Sequence, residues 1–207
     1  VLYKNDIANL ALGRLGVSLS IIDLETENSN QAKIIRRHFR MALDTTLEMH
    51  AWNFATQYQV LNLLSDDLNA GPMRRFTYSL PSDCLVLREI AFDGIFNQQN
   101  LYEDQKLRWQ QIYSGSGQSI QTDIYNAHAK YTTRVLDSIA FPTHFGRAFA
   151  AQLSMDIAPS LITNNFGKVR DTLNSSARID ITLGIADDLG RQPLMEDSPS
   201  PFLRARY

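Results

Sequence analysis

The 207-residue chain has a single cysteine, Cys84. That excludes an intrachain disulfide and any metal cluster held by several thiolates. Charge of one sign is also lacking. Lys and Arg total 20 against 22 Asp and Glu, for a net charge of −2, so no global basic excess is present to hold nucleic acid. No apolar run approaches the roughly 20 residues that span a bilayer, and no basic stretch followed by an apolar one opens the segment that begins at Val1. No membrane partner is therefore expected. The motifs of common enzymes are missing too. Gly-x-Ser-x-Gly is absent, and Gly115-Ser116-Gly117, which is half of it, lies between two expected strands with no helix to follow. A phosphate-binding Gly-x4-Gly-Lys-Ser/Thr loop is absent as well.

The remaining chemistry is scattered. His38, His50, His128 and His144 never fall at a metal-ligand spacing such as His-x3-His, and lone histidines are most often structural. Asp66-Asp67 and Asp187-Asp188 fall at a turn and near a helix end, where a solvated pair is the plain reading. Cys84 is followed by Leu85-Val86-Leu87, which suggests a buried thiol rather than a reactive one. No catalytic residue, cofactor or metal ligand is expected. Carboxylate pairs that meet only in space leave no motif to test.

What is present is globular: 44% hydrophobic and 20% charged residues. Tyr3 to Leu15 has helical apolar spacing at Ile7, Leu10, Ala11 and Leu15, stopped by Gly16. Leu19 to Leu24 reads as a short extended stretch, and Ser29 or Asn30 as the cap of the next helix. That helix runs from about Gln31 to Met49, with Ala32, Ile35, Phe39, Ala42 and Leu43 on one stripe. Lys33, Arg36, Arg37 and Arg40 form a charged stripe on the opposite side. Such a stripe is a solvated face or a contact for DNA or an acidic partner. The helix ends in His50-Ala51-Trp52-Asn53-Phe54-Ala55. An extended step there puts Trp52 and Phe54 on one side, so the pair is read as the anchor between a helical layer and a β layer.

From residue 56 to about 135 the pattern is β. Expected strands lie near Tyr58 to Val60, Arg75 to Leu80, Leu85 to Phe92, Trp109 to Tyr113, Ile120 to Tyr125 and Ala129 to Val135, with Ser114 to Gln118 as a hairpin connection. Phe141-Pro142-Thr143 opens a helix apolar on most sides, through Phe145, Ala148, Phe149, Leu153, Met155 and Ile157. Such a helix is deeply buried or meets a neighbour, and Pro159 is expected to kink or end it near Ala158. Phe145, Phe149 and Met155 are the subunit-interface candidates. A last helix spans Lys168 to about Leu189, stopped by Gly190. Beyond it, Pro193, Pro199 and Pro201 oppose regular structure, and the chain finishes Phe202-Leu203-Arg204-Ala205-Arg206-Tyr207. Aromatic and Arg residues are enriched at interface hot spots, so this segment reads as a docking arm. The expected fold is α+β: residues 1–54 and 141–190 as a helical bundle, 55–140 as an inserted, mainly antiparallel β domain, and 191–207 as an extended arm.

The order of these pieces resembles the head-to-tail adaptor family of short-tailed bacteriophages, also called tail tubular protein A. The resemblance rests on Ile7-Ala8-Asn9-Leu10-Ala11-Leu12-Gly13-Arg14-Leu15-Gly16, then on the helix from Ala32 to Leu47 running into Trp52-Asn53-Phe54-Ala55. It continues through Phe76-Thr77-Tyr78-Ser79-Leu80-Pro81-Ser82-Asp83-Cys84-Leu85, similar to the family's aromatic-x-x-Pro-x-Asp-x-Leu step. It ends with Lys130-Tyr131-Thr132-Thr133-Arg134 ahead of Phe141-Pro142 and the Phe145 to Ala158 helix. It covers about residues 5–190.

The resemblance implies a non-enzymatic virion protein at the portal vertex of the tail, present in the host cytoplasm during assembly. Its implied partners are the portal protein, the tail nozzle protein and copies of itself in a ring, commonly a dodecamer. Passing genomic DNA would make only transient, non-specific contact. By position, Phe202, Leu203, Arg204, Arg206 and Tyr207 would form the portal-docking arm. The alternatives are another head-completion or tail-terminator protein, a tail-associated cell-wall hydrolase, or a DNA-binding regulator acting through the Lys33 stripe.

Overall fold

The computed structural model describes residues 1–18, 20–68, 75–92, 94, 96, 109–114, 117–135, 141–162 and 166–191. The fold is α+β, with N- and C-terminal helices flanking an antiparallel β region. Four helices are present among these residues: α1 (Lys4–Arg14), α2 (Asn30–Met49), α3 (Thr143–Leu161) and α4 (Phe166–Leu189). Between the two pairs lie seven strands: β1 (Thr56–Val60), β2 (Asn62–Asp66), β3 (Phe76–Ser79), β4 (Cys84–Phe92), β5 (Trp109–Ser114), β6 (Gly117–Thr122) and β7 (Ala127–Thr133).

Local chemistry explains the helix ends. The Asp6 carboxylate accepts from the Tyr3 N–H at 2.9 Å and closes the start of α1. Ser29 is the N-cap of α2, its hydroxyl accepting from the Ala32 N–H at 3.2 Å. Pro159 does not end α3 at once: the helix continues to Leu161, and the Ile162 N–H closes on the Ala158 carbonyl at 2.9 Å. The proline falls in the last turn, where its missing N–H removes a single bond.

Helix α3 is the axis of the helical region, with α1, α2 and α4 all packed on it. Its residues Phe145, Ala148, Phe149, Ala150, Leu153 and Ile157 are fully buried. Aromatic edges meet faces throughout this core. Ring centroids are 5.0 Å apart for Phe39 and Phe149, 5.0 Å for Trp52 and Phe145, and 4.8 Å for Phe54 and Phe145. Gly184 lets α4 come close: a Cβ there would sit 2.9 Å from the His144 carbonyl oxygen. Arg14 of α1 pairs with Asp180 of α4.

Two antiparallel sheets share a second, smaller core. One has the order β1-β7-β4, the other β2-β3-β6-β5. The chain passes from the first to the second at Leu61, which is buried and donates its N–H to the Ala127 carbonyl at 2.9 Å. Phe76, Tyr78, Leu87, Ile90, Ile120 and Tyr131 fill the space between, and the Tyr78 hydroxyl donates to the Ile124 carbonyl at 2.9 Å. Strands β5 and β6 pair up to Ser114 and Gly117. Gly117 has φ +122, open to glycine because it lacks a Cβ.

The described residues 20–24 are held by side chains: Asn9 bonds both the N–H and the carbonyl of Ile21, and Asn5 bonds the Leu24 N–H and the Ile22 carbonyl. One local expectation is corrected. The Trp52 to Phe54 step is not extended. Asn53–Ala55 is a 3-10 turn, and that turn puts both rings against Phe145.

Candidate functional site

The corner where α2 hands over to β1 gathers a buried polar cluster. Asp188, in the last turn of α4, is 1% exposed. Its Oδ2 lies 3.2 Å from His50 Nε2 and accepts the Asn53 N–H at 3.0 Å. Its Oδ1 lies 3.1 Å from His144 Nε2, and the Asn53 amide donates to the Asp188 carbonyl at 2.8 Å. A buried carboxylate requires such donors. His144 Nδ1 is buried without a partner among the described residues. Trp52 stands beside the cluster, edge-on to His50, and its indole N–H donates to the Thr46 carbonyl at 2.8 Å.

The β region is tied to this corner by Arg88. Register shifts in the β4 and β7 pairing fall between Cys84 and Val86 and between Leu87 and Glu89. Such irregularities re-aim side chains. At the first, Leu85 packs against the helical core. At the second, Arg88 Nη2 donates to the carbonyls of Leu47, Glu48 and His50, each at 2.9 Å, and its Nε donates to Thr132 Oγ1 at 2.8 Å. These are the carbonyls that a helix end leaves unpaired, at the negative end of its dipole. Burial pulls the Arg88 pKa below its ordinary value; an arginine remains a cation at neutral pH all the same.

This arrangement is a joint. Its carboxylate is 1% exposed and has no open side for a substrate. Among the described residues no group of three His, Cys, Asp or Glu is placed to hold a metal ion, and no helix is long and apolar enough to cross a membrane. Cys84 is half-buried, and burial pushes its thiol up to about 11, so little thiolate forms at neutral pH.

The residues singled out by sequence fall in different places. Trp52 and Phe54 belong to the helical core. Contacts from the β region to the helical region come from Arg88, from Leu85, and from Arg134, whose Nη2 lies 3.1 Å from Asp44. Phe145 and Phe149 are fully buried inside one chain. They are corrected as subunit contacts, because three helices already cover α3. Met155 is half-buried and lines a surface groove of about 470 Å³ with Met49, Ile181 and Thr182. Of the charged stripe, Lys33, Arg37 and Arg40 are exposed. Arg36 is not a free contact: its Nη1 donates to the carbonyls of Leu24, Glu25 and Glu27 and holds that loop. Phe202, Leu203, Arg204, Arg206 and Tyr207 lie outside the described residues.

Sequence reasoning missed Arg88, and it read Asp187-Asp188 as a solvated pair, which is corrected for Asp188 because that carboxylate is buried. Their partners lie 38 to 44 and 44 to 138 positions away, and no local spacing signals such pairs. It also missed how much apolar surface stays exposed. Tyr58, Val60, Leu63, Leu64 and Leu68 are each about half exposed or more, as are Ile179 and Leu183 on α4. No protein-family model matches the chain, and no curated protein matches it.

Proposed function

We propose that this protein is a structural virion component: a head-to-tail adaptor that forms a ring between the portal and the tail nozzle and lines the channel through which DNA leaves. The observation that carries the reading is the architecture. Both ends of the chain join in one helical core around α3, and the β region is inserted between them, in the order that the resemblance demands. A ring subunit needs apolar surface for two neighbours. Ile179 and Leu183 on α4 and the methionine-lined groove at Met155 are exposed for that role. A channel should hold passing DNA weakly, and a net charge of −2 suits that. The proposal includes no enzymatic step and no cofactor.

In this reading the portal protein engages the arm that carries Phe202, Leu203, Arg204, Arg206 and Tyr207. The arm leaves from the end of α4, which Asp188 fixes to the corner at His50 and Asn53. The protein would be found at the portal vertex of the tail, and in the host cytoplasm before assembly. Deleting residues 193–207 should leave the fold intact and abolish co-sedimentation with the portal protein. A truncated protein that still co-sediments sinks the assignment of the arm.

A further inference from the structure

A pocket of about 330 Å³ opens between the start of α1, the loop before α2 and the outer side of α2. Its floor is apolar. Leu24, Phe39 and Leu43 lie there almost fully buried, and Val135, just past β7, adds a half-buried wall. Its rim carries charge of mainly one sign, with Lys4, Arg36 and Arg40 set against one carboxylate, Glu25. Lys4 and Glu25 already answer each other at 3.1 Å. The two arginines are less fully used. Arg36 commits Nη1 to the carbonyls of Leu24, Glu25 and Glu27, which leaves its Nε and Nη2 edge without a partner among the described residues. The Arg40 side chain is 53% exposed, and its Nε lies 3.6 Å from Asp44, past hydrogen-bond range. Asp44 turns instead to Arg134 Nη2 at 3.1 Å.

Arg36 and Arg40 stand one turn apart on α2, so two like charges face one opening. Like charges at that spacing repel and cost stability. An anion between them removes that cost and gains charge-assisted, planar hydrogen bonds. A bare anion leaves the floor unused. Below the guanidinium groups, Leu24, Phe39, Leu43 and Val135 reward an apolar body. The volume lies at the small end of ligand pockets, which start at about 300 Å³, and so suits a body of a single ring.

We propose that this pocket binds a small organic acid: a carboxylate carried on an apolar, ring-sized body. The carboxylate bridges Arg40 and the Nε and Nη2 edge of Arg36. The body lies on Leu24, Phe39 and Leu43, with Val135 at its side. Lys4, whose ammonium is 5.9 Å from the centre of the Phe39 ring, stays with Glu25 and closes the far side. The bound acid ties α1, the loop before α2, α2 and the end of β7 together. Nucleic acid fits less well. Lys33 and Arg37, the other exposed cations of the stripe, lie outside the lining, and a phosphate backbone places nothing apolar on the floor. The inference does not rest on the virion reading, and either can fail without the other.

The test titrates the whole protein with phenylpropanoate and follows the methyl signals of Leu24, Leu43 and Val135 by NMR. The three signals should shift to saturation with a Kd of about 1 mM or tighter, and the thermal midpoint should rise with the acid. Phenylpropanamide keeps the body and lacks the charge; acetate keeps the charge and lacks the body. Each should bind roughly tenfold more weakly or worse. Arg40→Gln should weaken the acid by roughly tenfold as well, while Arg37→Gln, on the same helix but outside the lining, should leave it unchanged. The inference is overturned by signals that stay unsaturated at about 20 mM acid, by an amide or acetate that binds as well as the acid, or by equal losses in the two arginine variants. A short single-stranded DNA that shifts the same methyls at lower concentration than the acid would give the site to nucleic acid and overturn it too.

Discussion

The helical and β regions of this protein bury their residues on different plans. In the helical region one cluster gathers Trp52, Phe141, Phe145 and Phe149 around a central helix, all nearly or fully buried. In the β region the core is thinner. Tyr78 and Ile120 are its largest fully buried side chains, and residues 57–60 and 62–66 are exposed throughout. The difference teaches where stability and recognition reside. The helices close on α3. The strands meet them at Arg88, Leu85 and Arg134 and leave Tyr58, Val60, Leu63 and Leu64 on the surface.

Three substitutions break or sharpen this contrast. The largest effect is expected from Trp52→Ala. It opens a cavity under Phe145 and removes the bond to the Thr46 carbonyl, costing about 3–5 kcal/mol. An unchanged denaturation midpoint would refute the helical region as the main source of stability. Arg88→Ala comes next, at about 1–3 kcal/mol, because three carbonyls at the end of α2 lose their donor. Hydrogen exchange should quicken at β4 and at the end of α2 while the amides of α3 stay protected. Uniform quickening along the chain would mean that the two regions share one core after all.

The smallest effect is expected at Asp156 on α3, where burial raises the carboxyl pKa, opposed by the bond from Gln152 at 3.0 Å. A raised folded-state pKa means stability that is complete below the unfolded value, near 3.9, and lost as pH rises through the folded one. At neutral pH the ionised group therefore costs stability. Asp156→Asn should raise the stability at pH 7 by less than about 1 kcal/mol, since the site is only partly buried and screened. That gain should vanish near pH 3. A gain that persists in acid would show that charge is not its cause.

Much of the fold was legible in the chain because the signals are local. Ser29 announces the start of α2, Gly190 the end of α4, and Gly117 the turn between β5 and β6. The apolar crowding of α3 correctly allowed burial. Periodicity counts apolar faces without naming what covers them, so Phe145 and Phe149 were equally compatible with a neighbouring subunit. Composition does not show that Asn5 and Asn9 bond the backbone of residues 21–24. Arg36 shares a stripe with Lys33, Arg37 and Arg40, and only the folded loop shows that it is spent on carbonyls. Arg88, Asp188 and His144 act across long stretches of chain, where spacing carries no information.

The adaptor reading stands or falls on assembly. Electron microscopy of the purified protein, alone and mixed with portal protein, tests it most directly. The account predicts rings of this protein seated on one face of the portal, with the β region and the helical region at different heights along the channel. A free protein that stays monomeric agrees with it, provided the portal organises the ring. Portals that stay bare at saturating concentrations of the folded, full-length protein would contradict it.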